Sequence, residues 1–154
     1  MRSIESTVDI AAPPEAIFDL IHDYGRRLEW DPFLCEARLL GDAREAGPGV
    51  RALCRARLRS GGGAMETVYV SFQRPAVAAV KMTRGPFYLA EFAASLRQLP
   101  LTNGSTRVSY KFHLAGRPRW LRVVMEPILA IVFRRETRRR LAALRSFLER
   151  RPGQ

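Results

Sequence analysis

The chain has 154 residues, 47% of them hydrophobic, and carries 26 Lys and Arg against 15 Asp and Glu, a formal net charge of +11. That length and apolar content suit one globular domain with its own core and exclude a disordered chain. Cys35 and Cys54 are the only cysteines, which excludes a disulfide scaffold, and with His22 and His113 they share no spacing for a metal.

Ile4 to Ile10 alternates apolar and polar residues, which predicts a half-buried strand. Pro13 and Pro14 start a helix whose apolar positions are Ile17, Leu20, Ile21 and Tyr24, with Gly25 as its stop. A short second helix carries Arg26 to Trp30 and closes at Asp31-Pro32, because the residue before proline avoids helical backbone. Six further strands are expected: Cys35 to Leu40, Arg51 to Arg59, Met65 to Gln73, Val77 to Thr83, Leu89 to Leu99 and Thr106 to Leu114. The turns between them are marked by Gly61-Gly62-Gly63, Arg74-Pro75, Gly85-Pro86 and Asn103-Gly104. Gly116 and Pro118 end the sheet, and a long helix follows to Glu149 with Pro127 inside it. The expected class is α+β, an antiparallel sheet of about six to seven strands covered by the C-terminal helix. The domain runs over 1–150, and 151–154 form a tail.

Strict alternation assigns an inward face to the sheet. It holds Ser6, Val8, Ala37, Leu39, Ala52, Cys54, Ala56, Glu66, Val68, Val70, Ala78, Val80, Ala90, Phe92, Ala94, Tyr110 and Phe112. So many alanines mean either a close-packed core of small residues or a cavity under a helix that cannot reach the floor. Glu66 is either a hydrated carboxylate at the sheet rim or, buried beside Tyr110, an acid–base group with a raised pKa. His22 is expected on the exposed side of its helix and His113 on the solvent face of the last strand, so neither serves as a base. No Ser-His-Asp set and no phosphate-binding loop is present.

Three stretches carry a family resemblance. They are Ile10-Ala-Ala-Pro-Pro-Glu-Ala-Ile-Phe-Asp-Leu-Ile-His-Asp23 with Trp30-Asp31-Pro32, Asn103-Gly-Ser-Thr-Arg-Val108, and Phe133 to Leu141 followed by Leu144 and Leu148. With the order of elements, they resemble the START-like superfamily (SRPBCC), which includes the polyketide cyclase/dehydrase and lipid-transport proteins. The resemblance implies a helix-grip fold, a curved sheet gripping a long helix with a hydrophobic cavity between. Its implied lining is Ser6, Trp30, Cys54, Glu66, Val68, Phe92, Tyr110, Phe112, Met125 and Leu129. The implied function is binding of a lipid, polyketide or isoprenoid-like molecule, as carrier or sequestering protein, without a cofactor. The alternative is a cyclase/aromatase- or dehydratase-like enzyme using the same pocket, with Glu66 and Tyr110 as its candidate catalytic groups.

Charge completes the reading. Arginines number 24, which fits either a genomic composition bias or an acidic partner. Residues 117–151 hold 11 of them against Glu126, Glu136 and Glu149. They form either a solvated face opposite the leucine stripe or a contact with an anionic membrane, centred on Arg138, Arg139 and Arg140. Nucleic acid is disfavoured, since there is no recognition motif or aromatic platform. The apolar run from Trp120 to Phe133 is broken by Arg122, Glu126 and Pro127 and falls short of the ~20 residues a spanning helix needs. Met1 to Thr7 lacks an apolar signal region, so a soluble cytoplasmic protein is expected.

Overall fold

The computed structural model describes residues 2–60 and 62–150; Gly61 of the expected glycine turn and the tail 151–154 lie outside it. Strand β1 spans Arg2–Ile10, and α1 (Pro14–Ile21) begins on a proline, whose fixed φ suits a first helical turn. The short α2 (Arg27–Trp30) stops at Asp31 ahead of Pro32. Then come β2 (Leu34–Leu39), β3 (Arg51–Ala56), β4 (Ala64–Gln73), β5 (Val77–Arg84), β6 (Leu89–Pro100) and β7 (Thr106–Gly116). A 3-10 turn over Arg119–Leu121 leads into α3 (Arg122–Arg150). Strand β3 ends earlier than expected: the Arg57 N–H turns to the Phe33 carbonyl at 2.9 Å, and Leu58–Ser60 form a 3-10 turn with Leu58 in solvent.

The seven strands form one curved antiparallel sheet in the order β1-β7-β6-β5-β4-β3-β2. Its register aligns inner-face residues into rows, one of which runs Ile4, Phe112, Ala94, Val80, Tyr69 across five strands. Helix α3 packs on the inner face over β1 and β7. Leu141, Leu144 and Leu148 meet Ile17, Leu20 and Ile21 of α1 at one end. Leu129 and Ala130 meet Phe92, Phe112 and Leu114 at the other. Buried polar groups pin α1 to the sheet. Thr106 Oγ1 donates to the Ala12 carbonyl at 2.8 Å, and Gln98 Nε2 donates to the carbonyls of Pro14 (2.9 Å) and Pro75 (2.6 Å). Among the described residues, no helix is long and apolar enough to cross a membrane.

Strand β4 departs from the expected alternation. Tyr69 lies opposite Val80 and Phe72 opposite Ala78, so Val70 and Ser71 together face Ala79 in a bulge. Phe72 points inward as expected. The extra residue reverses the phase before it, because side-chain direction in a strand alternates with period two. Met65, Thr67 and Tyr69 therefore face the interior. Glu66, Val68 and Val70 belong to the outer face instead, and Val70 is 59% exposed.

Candidate functional site

Two compartments of about 100 and 120 Å³ lie between the sheet and α3. Tyr24, Arg27, Val80, Tyr110, Thr137 and Arg140 line both, so the two adjoin and together make up a divided void under α3. Ala78, Ala94 and Leu96 floor the first; Cys54, Ala56, Phe92 and Phe112 line the second. The void exists because the floor carries alanines while the leucine and phenylalanine contacts at both ends of α3 set its height above the sheet.

One wall is ionic. Asp31, fully buried, receives Arg140 Nη2 from α3 at 2.9 Å and Arg27 Nε from α2 at 3.0 Å. Its Oδ1 also accepts the Phe33 N–H at 3.0 Å. Arg27 Nη1 donates to the Ile21 carbonyl at 3.1 Å, and its guanidinium stacks over the rings of Trp30 (5.1 Å) and Tyr24 (5.6 Å). Burial alone would raise the Asp31 carboxyl, but the guanidiniums of Arg140 and Arg27 outweigh it and hold the group below the usual carboxylate range. Two guanidiniums against one carboxylate leave this wall cationic.

Beside it runs a chain of hydrogen bonds. Tyr69 Oη lies 2.7 Å from His22 Nδ1 and 3.0 Å from Tyr24 Oη. His22 is not on the exposed side of α1. It caps the helix after Ile21, and its ring packs on Phe18, Phe72 and Tyr69. Burial first, then the charge of Arg27, lowers its pKa to about 3, so the imidazole is neutral. Its Nε2 is buried without a partner. Burial likewise raises the phenols of Tyr69, Tyr24 and Tyr110 and the thiol of Cys54. All four stay protonated at neutral pH, and the void presents hydrogen-bond donors rather than a ready base.

A family model described as polyketide cyclase/dehydrase and lipid transport matches residues 1–149. The chain belongs to that family. Solved structures agree in fold. A START superfamily protein from Mycobacterium smegmatis superposes with a TM-score of 0.80 at 16% identity, over 96% of this chain and 97% of that one. The Zhui aromatase/cyclase of a Streptomyces species gives 0.80 at 16% identity, over 97% and 94%. A Thermus thermophilus protein gives 0.71 at 18% identity, over 94% and 95%. No curated protein matches the chain.

Within this polyketide cyclase/dehydrase and lipid-transport fold, the residues singled out from the sequence separate into groups. Trp30 lines the first compartment, Cys54, Phe92 and Phe112 the second, and Tyr110 both. Ser6 is buried on the inner face of β1 with its Oγ unpartnered, and it lines neither compartment. Glu66 and Val68 fall on the outer face. Glu66 Oε1 accepts Arg51 Nη1 at 3.1 Å, which removes it as an acid–base partner of Tyr110. Met125 and Leu129 line a separate groove beside α3 rather than the void. His113 stands between Ser3 and Ala93 on the outer face, opposite in direction to Phe112. The trio Arg138, Arg139 and Arg140 does not form one surface cluster: Arg140 turns inward to Asp31, Arg139 pairs with Glu136 at 3.5 Å, and Arg138 is exposed.

Polar residues of the void that the sequence reading did not place there include Arg27, Arg140, His22, Tyr24 and Tyr69, with Asp31 bound behind the two guanidiniums. Local spacing carried a signal for four of them, one being His22, which follows the buried Phe18 by four residues. Arg27 and Asp31 stand four apart, the distance of an ion pair on a helix turn. Arg140 precedes Leu144 by four residues and so lies on the buried stripe of α3.

Proposed function

We propose that the protein holds a compact, largely apolar small molecule, such as a lipid, polyketide or isoprenoid-like compound, between sheet and α3, as carrier or sequestering protein. The observation that carries this reading is the pair of adjoining compartments under α3, the first floored by Ala78 and Ala94, with a cationic wall at Arg27 and Arg140 held by Asp31. Ligand sites are of this kind, mostly apolar with a few convergent polar groups. The guanidiniums of Arg27 and Arg140 only donate, so they favour a ligand whose polar end accepts hydrogen bonds. Both cysteines are free, in keeping with work in the reducing cytoplasm. Native mass spectrometry of the purified protein tests the reading by detecting a co-purifying apolar ligand. Titration of the ligand-free protein with the neutral dye Nile red tests it independently. Saturable binding, competed by a second apolar compound, supports the reading; absence of both overturns it.

A second reading, a cyclase-like enzyme, draws on the chain from Tyr24 through Tyr69 to the neutral His22. Phenols relayed to an imidazole suit proton donation to a ketone oxygen during intramolecular aldol closure. The substrate for testing it is a poly-β-ketone thioester. A ring-closed product with loss of water, absent in Tyr69→Phe, supports the enzyme; unchanged rates in that variant remove it.

A further inference from the structure

The solvent side of α3 changes character part-way along its length. Its first turns point apolar residues outward: Val123 is 87% exposed and Ile131 65%, with Val124, Ile128 and Val132 also in solvent. From Arg134 onward the same side carries Arg134, Arg135, Arg138 and Arg139, all exposed. A helix apolar on every side is ordinarily covered on every side. Here Leu129 and Ala130 already occupy the inner side against the sheet, while the outer side is bare. Trp120, 79% exposed, sits on the 3-10 turn just before α3. Phe87, between β5 and β6, is exposed as well. A groove of about 710 Å³ runs along this part of the helix past Phe87, and it shares Phe33, Tyr88 and Phe133 with the interior void.

We propose that the apolar face of α3, with Trp120 and its arginine flank, seats the protein on an anionic lipid surface, and that the groove passes ligand between the bilayer and the void. The first half of this inference stands alone; the second rests on the ligand-binding reading above. Charge selects the occupant. Glu126 and Glu136, the acids of this stretch, are already paired with Arg122 and Arg139, so the face offers a partner mainly cations. A second copy brings the same net charge of +11 and the same arginines, and face-to-face copies place like charge against like. Anionic headgroups complement the arginines while the acyl boundary takes Val123, Val124, Ile128 and Ile131. Tryptophan suits that interface, because its ring is apolar and its N–H is not. No helix is long and apolar enough to cross the bilayer among the described residues, so α3 lies on it.

Sedimentation with vesicles of phosphatidylglycerol and phosphatidylcholine in equal parts, against phosphatidylcholine alone, tests the docking. Trp30 is 8% exposed, so a lipid-dependent blue shift of tryptophan emission reports Trp120. Binding is expected for the anionic vesicles only, and salt should release it as the Debye length shortens from about 10 Å to about 3 Å. Arg134→Gln/Arg135→Gln/Arg138→Gln should weaken it on the order of a hundredfold. Val123→Asp/Ile131→Asp should weaken it on the order of tenfold or more. All five positions are exposed, so the melting temperature serves as the folding control. No binding to anionic vesicles, equal binding to both kinds, or full binding by both variants overturns the proposal. So does a dimer in light scattering that Val123→Asp/Ile131→Asp dissolves, which assigns the face to a second copy. Nile red titration without vesicles separates the two readings: dye without vesicle binding rejects the docking, and vesicle binding with neither dye binding nor a co-purifying ligand rejects the ligand cavity.

Discussion

Arg140 of α3 reaches Asp31 at the end of α2 with Nη2 at 2.9 Å and Nε at 3.1 Å from the carboxylate. This contact ties the C-terminal helix to the segment that leads from α2 into the sheet. The same carboxylate thereby positions Arg27 and Arg140, both of which line the void.

Removing one partner of a buried ion pair costs about 3–5 kcal/mol, because the other charge is left uncompensated. Asp31→Leu strands two guanidiniums, whereas Arg140→Leu leaves Asp31 still paired with Arg27. In urea denaturation Asp31→Leu should be the more damaging change. The double variant should recover part of the loss relative to the sum of the single ones. Strict additivity would show that the two side chains are not coupled.

Ala94 borders the void, whereas Ala52 is fully buried and lines neither compartment. Ala94→Phe has space to enter, so it should change stability by less than about 1 kcal/mol and eliminate dye binding. Ala52→Phe meets packed neighbours and should cost about 1–3 kcal/mol with dye binding retained in the folded fraction. Thermal melts and a dye titration of both proteins check the contrast. Equal destabilisation by the two would mean that the floor under α3 is close-packed.

The neutral His22 makes stability depend on pH. In the unfolded chain it takes up a proton near 6.5, but in the folded protein not until about 3. Between those values the unfolded state binds more protons, so stability is complete above pH 6.5 and falls as the pH drops toward 3. The slope should approach about 1.4 kcal/mol per pH unit inside the window. His22→Gln, which cannot charge, should flatten the slope between pH 6.5 and about 4.5, above the range where the carboxylates protonate. An unchanged slope would place the proton uptake elsewhere.

Glu66 and Tyr69 give opposite expectations from neighbouring places on one strand. Glu66→Gln loosens a solvent-facing pair with Arg51 and should cost no more than about 1 kcal/mol, without effect on dye binding. Tyr69→Phe leaves His22 Nδ1 and Tyr24 Oη without their shared partner and should cost about 1–3 kcal/mol. Thermal melts and dye titrations of the two variants decide it, and the reverse ranking would return Glu66 to the interior.

Much of this architecture was legible in local spacing. Ile4, Ser6 and Ile10 in one strand, Val108, Phe112 and Leu114 in another, and the leucines of α3 all bury as period-two and period-three-to-four patterns require. His22 was legible as well, since it follows the buried Phe18 by four residues, but Phe18 lay off the stripe traced through Ile17 and Ile21. The inner face of β4 was not. A bulge is set by how β4 pairs with β5, and no residue within β4 marks where the phase changes. Nor does the run from Trp120 to Phe133 reveal which of its apolar residues meet the sheet. That depends on where α3 crosses β7, a relation between segments distant in the chain.

The bulge has a consequence for how this strand tolerates change in length. Elsewhere in a sheet, losing one residue turns every side chain on one side of the lesion from inside to outside. Deleting Val70 does the reverse: Ser71 alone then faces Ala79, while Tyr69 and Phe72 keep their partners Val80 and Ala78. The chain thus holds a spare residue in mid-strand. A one-codon loss there leaves the interior of the molecule facing the way it already does, while the same loss among Met65 to Val68 exchanges one lining for another.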